Sequence, residues 1–369
     1  MNSWPLGFRV GILGGGQLAR MLAQSAQQMG FEVHVLCPDA MEPAAQVTRF
    51  HHQGSPSSPR DLASLLKSVD AVTFESEFLD MDVLAQATRE GLRVFPEPSL
   101  MQILQDRRTQ KDLLEKFKIP TAPFRRIDFP HELSEARKMF PAGFVLKKAR
   151  GGYDGYGTFY ARRESDLDLL ARDFPGPSIA EKLIRFQREL AVVAVCGEKD
   201  FCFLPLVESK QTQSRCDWVK GPVAHKAWPK MAKSIQKMLK KIGYRGVIAF
   251  ELFDTGRELL VNEIAPRVHN SGHYSMQALS KSQFDLHWEA GLGLRFQEPT
   301  LSTKAFVMTN LIGESTSSFR IPEGLTGKLH WYGKKDNRPG RKMGHLNYVG
   351  ASAETLLRKA LQERKRIGK

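Results

Sequence analysis

Near its start the chain passes from an apolar stretch through three glycines straight into a helical pattern, VGILGGGQLARML (Val10 to Leu22). A glycine turn between an apolar run and a helix points to a strand–turn–helix unit of a parallel sheet, where the backbone must turn sharply with a helix packed close behind it. The pattern continues as FRVGIL, QLARMLAQSAQQMG, FEVHVLC, a polar loop, DLASLLKSVD and AVTFESE. This is a β-α-β-α-β rhythm, and it closes near VFPEPS, where Pro96 and Pro98 punctuate an extended segment. Read from Gly14, the turn is also Gly14-x-Gly16-x-x-Ala19, the fingerprint of a dinucleotide site, with Asp39 placed to meet a ribose hydroxyl. The same glycines serve any phosphate at a helix N-terminus, so the motif alone leaves both ligands open.

At 369 residues the chain has room for two or three domains. No apolar stretch approaches the roughly 20 residues that span a bilayer, and MNSWPLGFR lacks the basic and apolar segments of a leader. Cys37, Cys196, Cys202 and Cys216 form no C-x-x-C pair, which fits a reducing compartment. A soluble cytoplasmic protein is expected, with no membrane partner. The net charge of +14 favours anionic ligands such as nucleotides and phosphorylated metabolites. Nucleic acid is disfavoured, because the basic residues are spread along the chain and match no recognition motif. The tail LLRKALQERKRIGK reads as a basic, solvated terminal helix with Leu356, Leu357 and Leu361 on one face.

Four constellations carry chemistry. GVIAFELF and RELLVNEIA read as a hairpin turning at Asp254-Thr255-Gly256, which sets Glu251 opposite Glu263 on one face. Paired carboxylates among such apolar flanks repel unless a divalent cation joins them, and hard oxygen ligands suit Mg²⁺ bridging phosphates. Asn262 falls on the other face unless the backbone is distorted there. Lys147 ends the apolar run FVL, and Gly151, Gly152, Gly155 and Gly157 follow as a flexible flap able to wrap a nucleotide's phosphates. It is not a Walker A loop, having no closing Gly-Lys-Ser/Thr. Arg267-Val-His269-Asn270-Ser271-Gly272-His273 gathers donors beside the carboxylate strand and reads as an anion pocket. The basic turn Lys334 to His345 reads as a surface loop, or as a phosphate holder where it nears a substrate.

In order, GILGGGQLARML, DRRTQK, KIPTAPF, GGYDGYGT, ELF, NEIAPRVHNSGH, SQFDLH and WYGKKDNRPGRKMGHLN resemble the ATP-grasp superfamily. Within it, APRVHNSGH and RPGRKMGH are most similar to the N5-carboxyaminoimidazole ribonucleotide synthetases of purine biosynthesis, over nearly the whole chain. The resemblance implies an α/β and α+β multidomain fold: a Rossmann-like domain over 1–105, an ATP-grasp domain over 106–296, and a small β-rich domain with the basic helix over 297–369. It implies that ATP phosphorylates bicarbonate to carboxyphosphate, whose carboxyl group passes to 5-aminoimidazole ribonucleotide. ATP would meet Arg107, Lys147, the flap Gly152, Tyr153, Asp154, Gly155, Tyr156, Gly157 and Thr158, and Asn262 and Glu263. Glu181, Lys182, Leu183 and Ile184 would line the adenine, Glu189 would take the ribose, and Gln211 would face the nucleotide. Glu251 and Glu263 would hold Mg²⁺, with Mn²⁺ as the alternative ion. Arg267, His269 and Asn270 would hold bicarbonate or carboxyphosphate as the catalytic group. Gly16, Gln17, Glu75, Asp154, Lys334 and Arg341 would bind the aminoimidazole ribonucleotide. The first glycine turn then becomes the cradle of that substrate's ribose phosphate, and neither NAD nor flavin is required. A homodimer is also implied.

This sequence departs from the family pattern at several places. Tyr156 replaces a usual lysine or arginine, Thr158 a glutamine, Gln211 a histidine, and Phe78 a polar residue after Glu75-x-Glu77, while CDWVKGPVAH is atypical. Two other readings therefore stand beside the carboxylating ligase: a non-catalytic nucleotide-binding relative, and an ATP-grasp ligase acting on another carboxylate.

Overall fold

The computed structural model describes residues 4–77, 79–152, 155–314 and 320–367, so Phe78, Tyr153 and Asp154 lie outside the described residues. The first apolar runs form a wholly parallel five-stranded sheet in the order Phe50–Gln53, Glu32–Cys37, Arg9–Leu13, Ala71–Phe74, Arg93–Val94. Its inner strands are buried almost throughout, as sheets covered on both faces require. Helices Gln17–Gln28, Pro59–Leu66 and Met81–Arg89 alternate with those strands. The strand order reverses between Arg9–Leu13 and Ala71–Phe74, and a crevice opens beyond their carboxyl ends, where Gly14 to Gly16 and Glu75 to Glu77 follow. The edge strand Phe50–Gln53 falls within the stretch expected to be a polar loop. Its sequence FHHQ is half exposed, so it carries no apolar run to announce it.

Two antiparallel sheets follow. The smaller has the order Phe124–Ile127, Ser178–Lys182, Phe144–Lys148, Thr158–Ala161. Helices Leu133–Met139 and Ser165–Arg172 close around its Ile127, Phe144, Leu146 and Ala180. The larger begins Leu259–Ala265, Gly246–Asp254, Arg188–Cys196, Val207–Thr212, Arg215–Gly221. Its strand Arg188–Cys196 is buried on both sides by simple alternation. Leu190, Val192 and Ala194 pack with Met231, Ile235 and Met238 of the helix Trp228–Ile242, while Ala191, Val193 and Val195 face Phe284 and Trp288. That helix ends where Gly243 adopts φ +70°, a left-handed cap natural to glycine.

The strands of the small β-rich domain expected over 297–369 also prolong this larger sheet. Ala305–Ile312 pairs with Arg215–Gly221, placing Thr309 opposite Trp218, and Lys342–Gly350 and Lys328–Trp331 follow outward. The helix Ala353–Arg364 packs on the first of these. The physical reason is that Arg215–Gly221 would otherwise be an open edge, with unpaired donors and acceptors.

Helix Gln283–Gly291 locks the parallel sheet to the larger antiparallel one. Trp288 Nε1 donates to Leu22 O at 2.9 Å, and Ser25 Oγ donates to Asp285 Oδ1 at 2.5 Å. Fully buried His287 accepts from the Val247 N–H through Nδ1 (3.1 Å) and meets Thr73 Oγ1 through Nε2 (2.7 Å). Burial pushes its imidazole down to about 3, so it is neutral. With Nδ1 accepting, Nε2 carries the proton and donates to Thr73. Thr73→Val leaves that buried donor without an acceptor and should destabilise the fold by about 1–3 kcal/mol. The check is a lowered urea midpoint at unchanged slope.

Candidate active site

The hairpin supplies the centre of the site. Gly246–Asp254 and Leu259–Ala265 pair with Glu251 directly opposite Glu263, and the register then slips so that Leu252 faces Val261. Asn262 is the extra residue of this bulge. The bulge releases its side chain from strict alternation, and Asn262 Oδ1 accepts from Lys147 Nζ at 2.8 Å on the same side as the two carboxylates. Burial, then the facing Glu263, then Glu189 push the Glu251 carboxyl up to about 7. Glu189 is itself raised by burial, with Lys210 opposing.

Cations reach this carboxylate cluster from helix Arg107–Lys116 and from the smaller sheet. Arg107, at the start of helix Arg107–Lys116, meets Glu263 Oε1 at 2.8 Å and donates to the carbonyls of Lys148 (3.1 Å) and Gly152 (3.3 Å). Lys147, at the end of the strand Phe144–Lys148, lies 2.5 Å from Glu181 Oε2. The other oxygen of Glu181 pairs with Lys111. Burial alone would raise Glu181, but the two ammonium groups outweigh it and bring the carboxyl down to about 2. The flap turns back between Gly152 and Thr158, where Lys148 N donates to Gly157 O (2.8 Å) and Thr158 N to Gly155 O (3.2 Å). A side chain at Gly152 would fall 2.7 Å from the Arg107 guanidinium, and one at Gly155 2.4 Å from Ser214 Cβ across the cleft. Both glycines therefore permit close approach, to the cation on one side and to the opposite wall on the other.

The third wall comes from the parallel sheet and the segment after the hairpin. Arg267 Nε donates to Glu77 Oε2 at 2.6 Å. Burial opposes both charges, yet Arg267 keeps the Glu77 carboxyl below its ordinary range. His269 is held well below its usual value by burial, then by Arg267 and Lys342. Its Nδ1 accepts from the Ser271 N–H (3.3 Å), and Nε2 points to Glu251 Oε1 at 3.7 Å. Asn270 exchanges two hydrogen bonds with Asn310, at 3.1 and 2.6 Å, so its amide is already paired. Glu75 takes the Gly16 N–H (2.7 Å) and the Ala19 N–H (3.1 Å) at the start of helix Gln17–Gln28.

These groups line one cleft of about 1100 Å³ between the three sheets. Among the predicted residues, it gathers Gly16, Gln17, Glu75, Arg107, Lys147, Gly152, Gly155, Thr158 and the run Glu181, Lys182, Leu183 and Ile184. Glu189, Gln211, Glu251, Asn262, Glu263, Arg267, His269 and Asn270 complete that set. Several differ from expectation. The Gly16 N–H is not free to cradle a phosphate, because the Glu75 carboxylate occupies it and Gly14 and Gly16 have no room for a Cβ beside that carboxylate. Glu181 turns its carboxylate to two lysines, so that carboxylate is already paired. Tyr156 and Gly157 lie off the lining, with Tyr156 well exposed. Lys334 and Arg341 also stand outside it. Lys334 sits over the Tyr332 ring at 5.7 Å, and Arg341 donates to Asp336 O at 3.0 Å. Lys334 nonetheless acts on Glu75 by its charge, and Lys342 lines the cleft itself from the start of its strand. Glu77, Lys111, Lys210, Phe186 and Trp218 were not singled out from the sequence. Only Glu77, two residues from Glu75 at the switch point, carried a positional signal for it. Asp39 accepts from the Met41 N–H (2.8 Å) and closes its own turn.

A flap, a buried lysine and a carboxylate pair between two antiparallel sheets define the ATP-grasp class. Family models agree: the ribonucleotide synthetase preATP-grasp domain matches residues 8–105, the ATP-grasp domain 112–284, and the phosphoribosylaminoimidazole carboxylase C-terminal domain 306–359. The N5-carboxyaminoimidazole ribonucleotide synthase of Synechococcus elongatus is 35% identical, over 91% of this chain and 88% of that one. The Staphylococcus aureus N5-carboxyaminoimidazole synthetase complexed with ADP superposes with a TM-score of 0.91 at 30% identity, covering 99% of both chains. The Aspergillus clavatus synthase in complex with ADP and 5-aminoimidazole ribonucleotide gives 0.87 at 30% identity, covering 98% of this chain and 99% of that one. The chain belongs to the N5-carboxyaminoimidazole ribonucleotide synthase family of ATP-grasp ligases.

The facing carboxylates have a pH signature. Glu251 is raised in the folded chain, so its share of stability is fully present below the ordinary glutamate range near 4.5 and is lost as pH rises through about 7. In EDTA, Glu251→Gln should melt higher than the unaltered chain above pH 7, and this advantage should shrink as pH falls to 4.5. Thermal melts across that range measure it.

Proposed function

We propose that this chain carboxylates 5-aminoimidazole ribonucleotide to the N5-carboxyamino compound, consuming ATP and bicarbonate and releasing ADP and phosphate. The observation that carries this reading is the convergence of Arg107, Lys147, Glu251, Glu263, Arg267 and His269 on one cleft roofed by a glycine flap. Arg107 and Lys147 reach ATP phosphates, while the backbone from Glu181 to Ile184 receives the base beneath the flap. Two carboxylates and the Asn262 oxygen fit a Mg²⁺ ion, which takes few protein oxygens and completes its shell with phosphates and water. The repulsion that raises Glu251 is what such an ion relieves. When bound, it neutralises charge on the transferring phosphoryl group.

A bicarbonate oxygen attacks the γ-phosphorus and ADP leaves, giving carboxyphosphate; the substrate amine then attacks its carbonyl carbon and phosphate departs. Neither step needs a protein nucleophile, only positioning and charge neutralisation. Arg267, steadied by Glu77, offers the rest of its guanidinium to the anion. Neutral His269 is poised to donate from Nε2. Gln17 and Glu75, at the parallel-sheet end of the cleft, face the ribonucleotide. Arg162 and Lys210 line the cleft and can supply the charge missing at Tyr156. The same reading takes the chain as a cytoplasmic homodimer, which sedimentation equilibrium checks.

The decisive assay is ADP release. It should require bicarbonate and rise with aminoimidazole ribonucleotide, whereas ADP binding with no release would establish the non-catalytic alternative. Glu263→Gln should lower turnover about a hundredfold or more while the chain stays folded. Full activity in that variant removes the metal assignment.

A further inference from the structure

Helix Arg107–Lys116, which leads into the grasping sheets, carries a buried lysine that does not line the cleft. Lys111 is 3% exposed and pairs through Nζ with Glu181 Oε1, while Nζ also lies 2.5 Å from Thr121 Oγ1. Thr121 Oγ1 in turn donates to Val261 O at 2.6 Å, at the foot of the bulge that presents Asn262. On the other side of the carboxylate, Lys147 Nζ sits 2.5 Å from Glu181 Oε2 and donates to Asn262 Oδ1. Each oxygen of one buried carboxylate therefore holds one ammonium, and only Lys147 faces the cleft.

Charge bookkeeping shows why this arrangement matters. With one lysine, Glu181 and Lys147 would form a neutral pair, and phosphates would meet only its dipole. With two, the trio carries a net positive charge whose exposed end is Lys147. Burial lowers the Lys111 affinity for its proton, and Glu181 opposes that loss. We propose that Lys111 is a positioning residue for the phosphate site: by sharing Glu181 it keeps Lys147 in place and net positive toward ATP without touching the nucleotide. The inference rests on the reading of this cleft as an ATP site.

Three variants test it by calorimetric titration with ADP and Mg²⁺, alongside steady-state ADP release. Lys111→Met should weaken ADP binding about tenfold or more and raise the KM for ATP more than it lowers kcat. Lys111→Arg should retain binding within about threefold. The double variant Lys111→Met, Glu181→Gln removes both charges and leaves Lys147 net positive, so it should recover binding to within about threefold of the unaltered chain. A purely structural role does not predict that recovery. Binding by Lys111→Met equal to that of the unaltered chain overturns the proposal, as does a double variant no better than the single one. Should Lys111→Met fail to fold, the double variant decides alone, and tenfold weaker binding there counts against it. An unaltered chain that binds no ADP would instead overturn the reading of the cleft.

Discussion

Two carboxylates facing each other across a bulged hairpin impose the main constraint on this molecule. Glu251 and Glu263 sit where neighbouring strand residues are apolar, so their charge must be met from outside their own two strands. Lys342, at the start of a distant strand of the larger sheet, favours the charged form of Glu251. Arg107 comes from the helix leading into the grasping region, and Lys147 from the end of a strand in the smaller sheet. The two antiparallel sheets are thereby tied across the cleft by charge rather than by apolar packing. A gap held in this way stays polar and open, and a polyanion with its cation can enter without displacing a core.

The bulge sharpens this arrangement. Regular alternation would place Asn262 away from Glu251 and Glu263, yet the slipped register turns its amide toward Lys147. Three oxygen-bearing side chains on two strands then point to one region. Such a cluster is costly without a ligand, and that cost is visible in the raised Glu251. The fold tolerates it because both flanking faces are packed, by Trp228–Ile242 on one side and Gln283–Gly291 on the other.

Local signals were legible in the sequence. The glycine turn, the alternating apolar runs, the hairpin with its two glutamates and the polar segment from Arg267 to His273 all lie within short windows, and the structure forms each of these elements. Long-range pairing was not legible. Arg107 meets Glu263 at a separation of 156 residues, and Arg267 meets Glu77 at 190. A sequence shows that a charge is present and not which distant charge will neutralise it. Lys111 looked like one more lysine on a charged helix, and only the packing of Ser178–Lys182 beside that helix gave it a partner. Likewise, FHHQ carries no apolar signal because an edge strand needs none, and the strands beyond Leu294 gave no hint that Arg215–Gly221 left an edge for them to cover.

The opening glycine turn shows how one motif serves different ends. A helix N-terminus at a topological switch point is suited to an anion, and in this chain the anion is internal. Glu75 arrives from the neighbouring parallel strand, caps two N–H groups of Gln17–Gln28, and leaves Gly14 and Gly16 with no room for a side chain. A dinucleotide pyrophosphate would have to displace a buried carboxylate that burial already disfavours as a free anion. The glycines are therefore required by the protein's own carboxylate. That carboxylate forms the floor of the cleft on the side where Glu77 holds Arg267, so the parallel sheet contributes acidic groups that orient cations rather than a cofactor pocket. Division of labour follows from this: the antiparallel sheets supply Lys147 and the facing carboxylates, and the parallel sheet, through Glu77, fixes the angle of the Arg267 guanidinium.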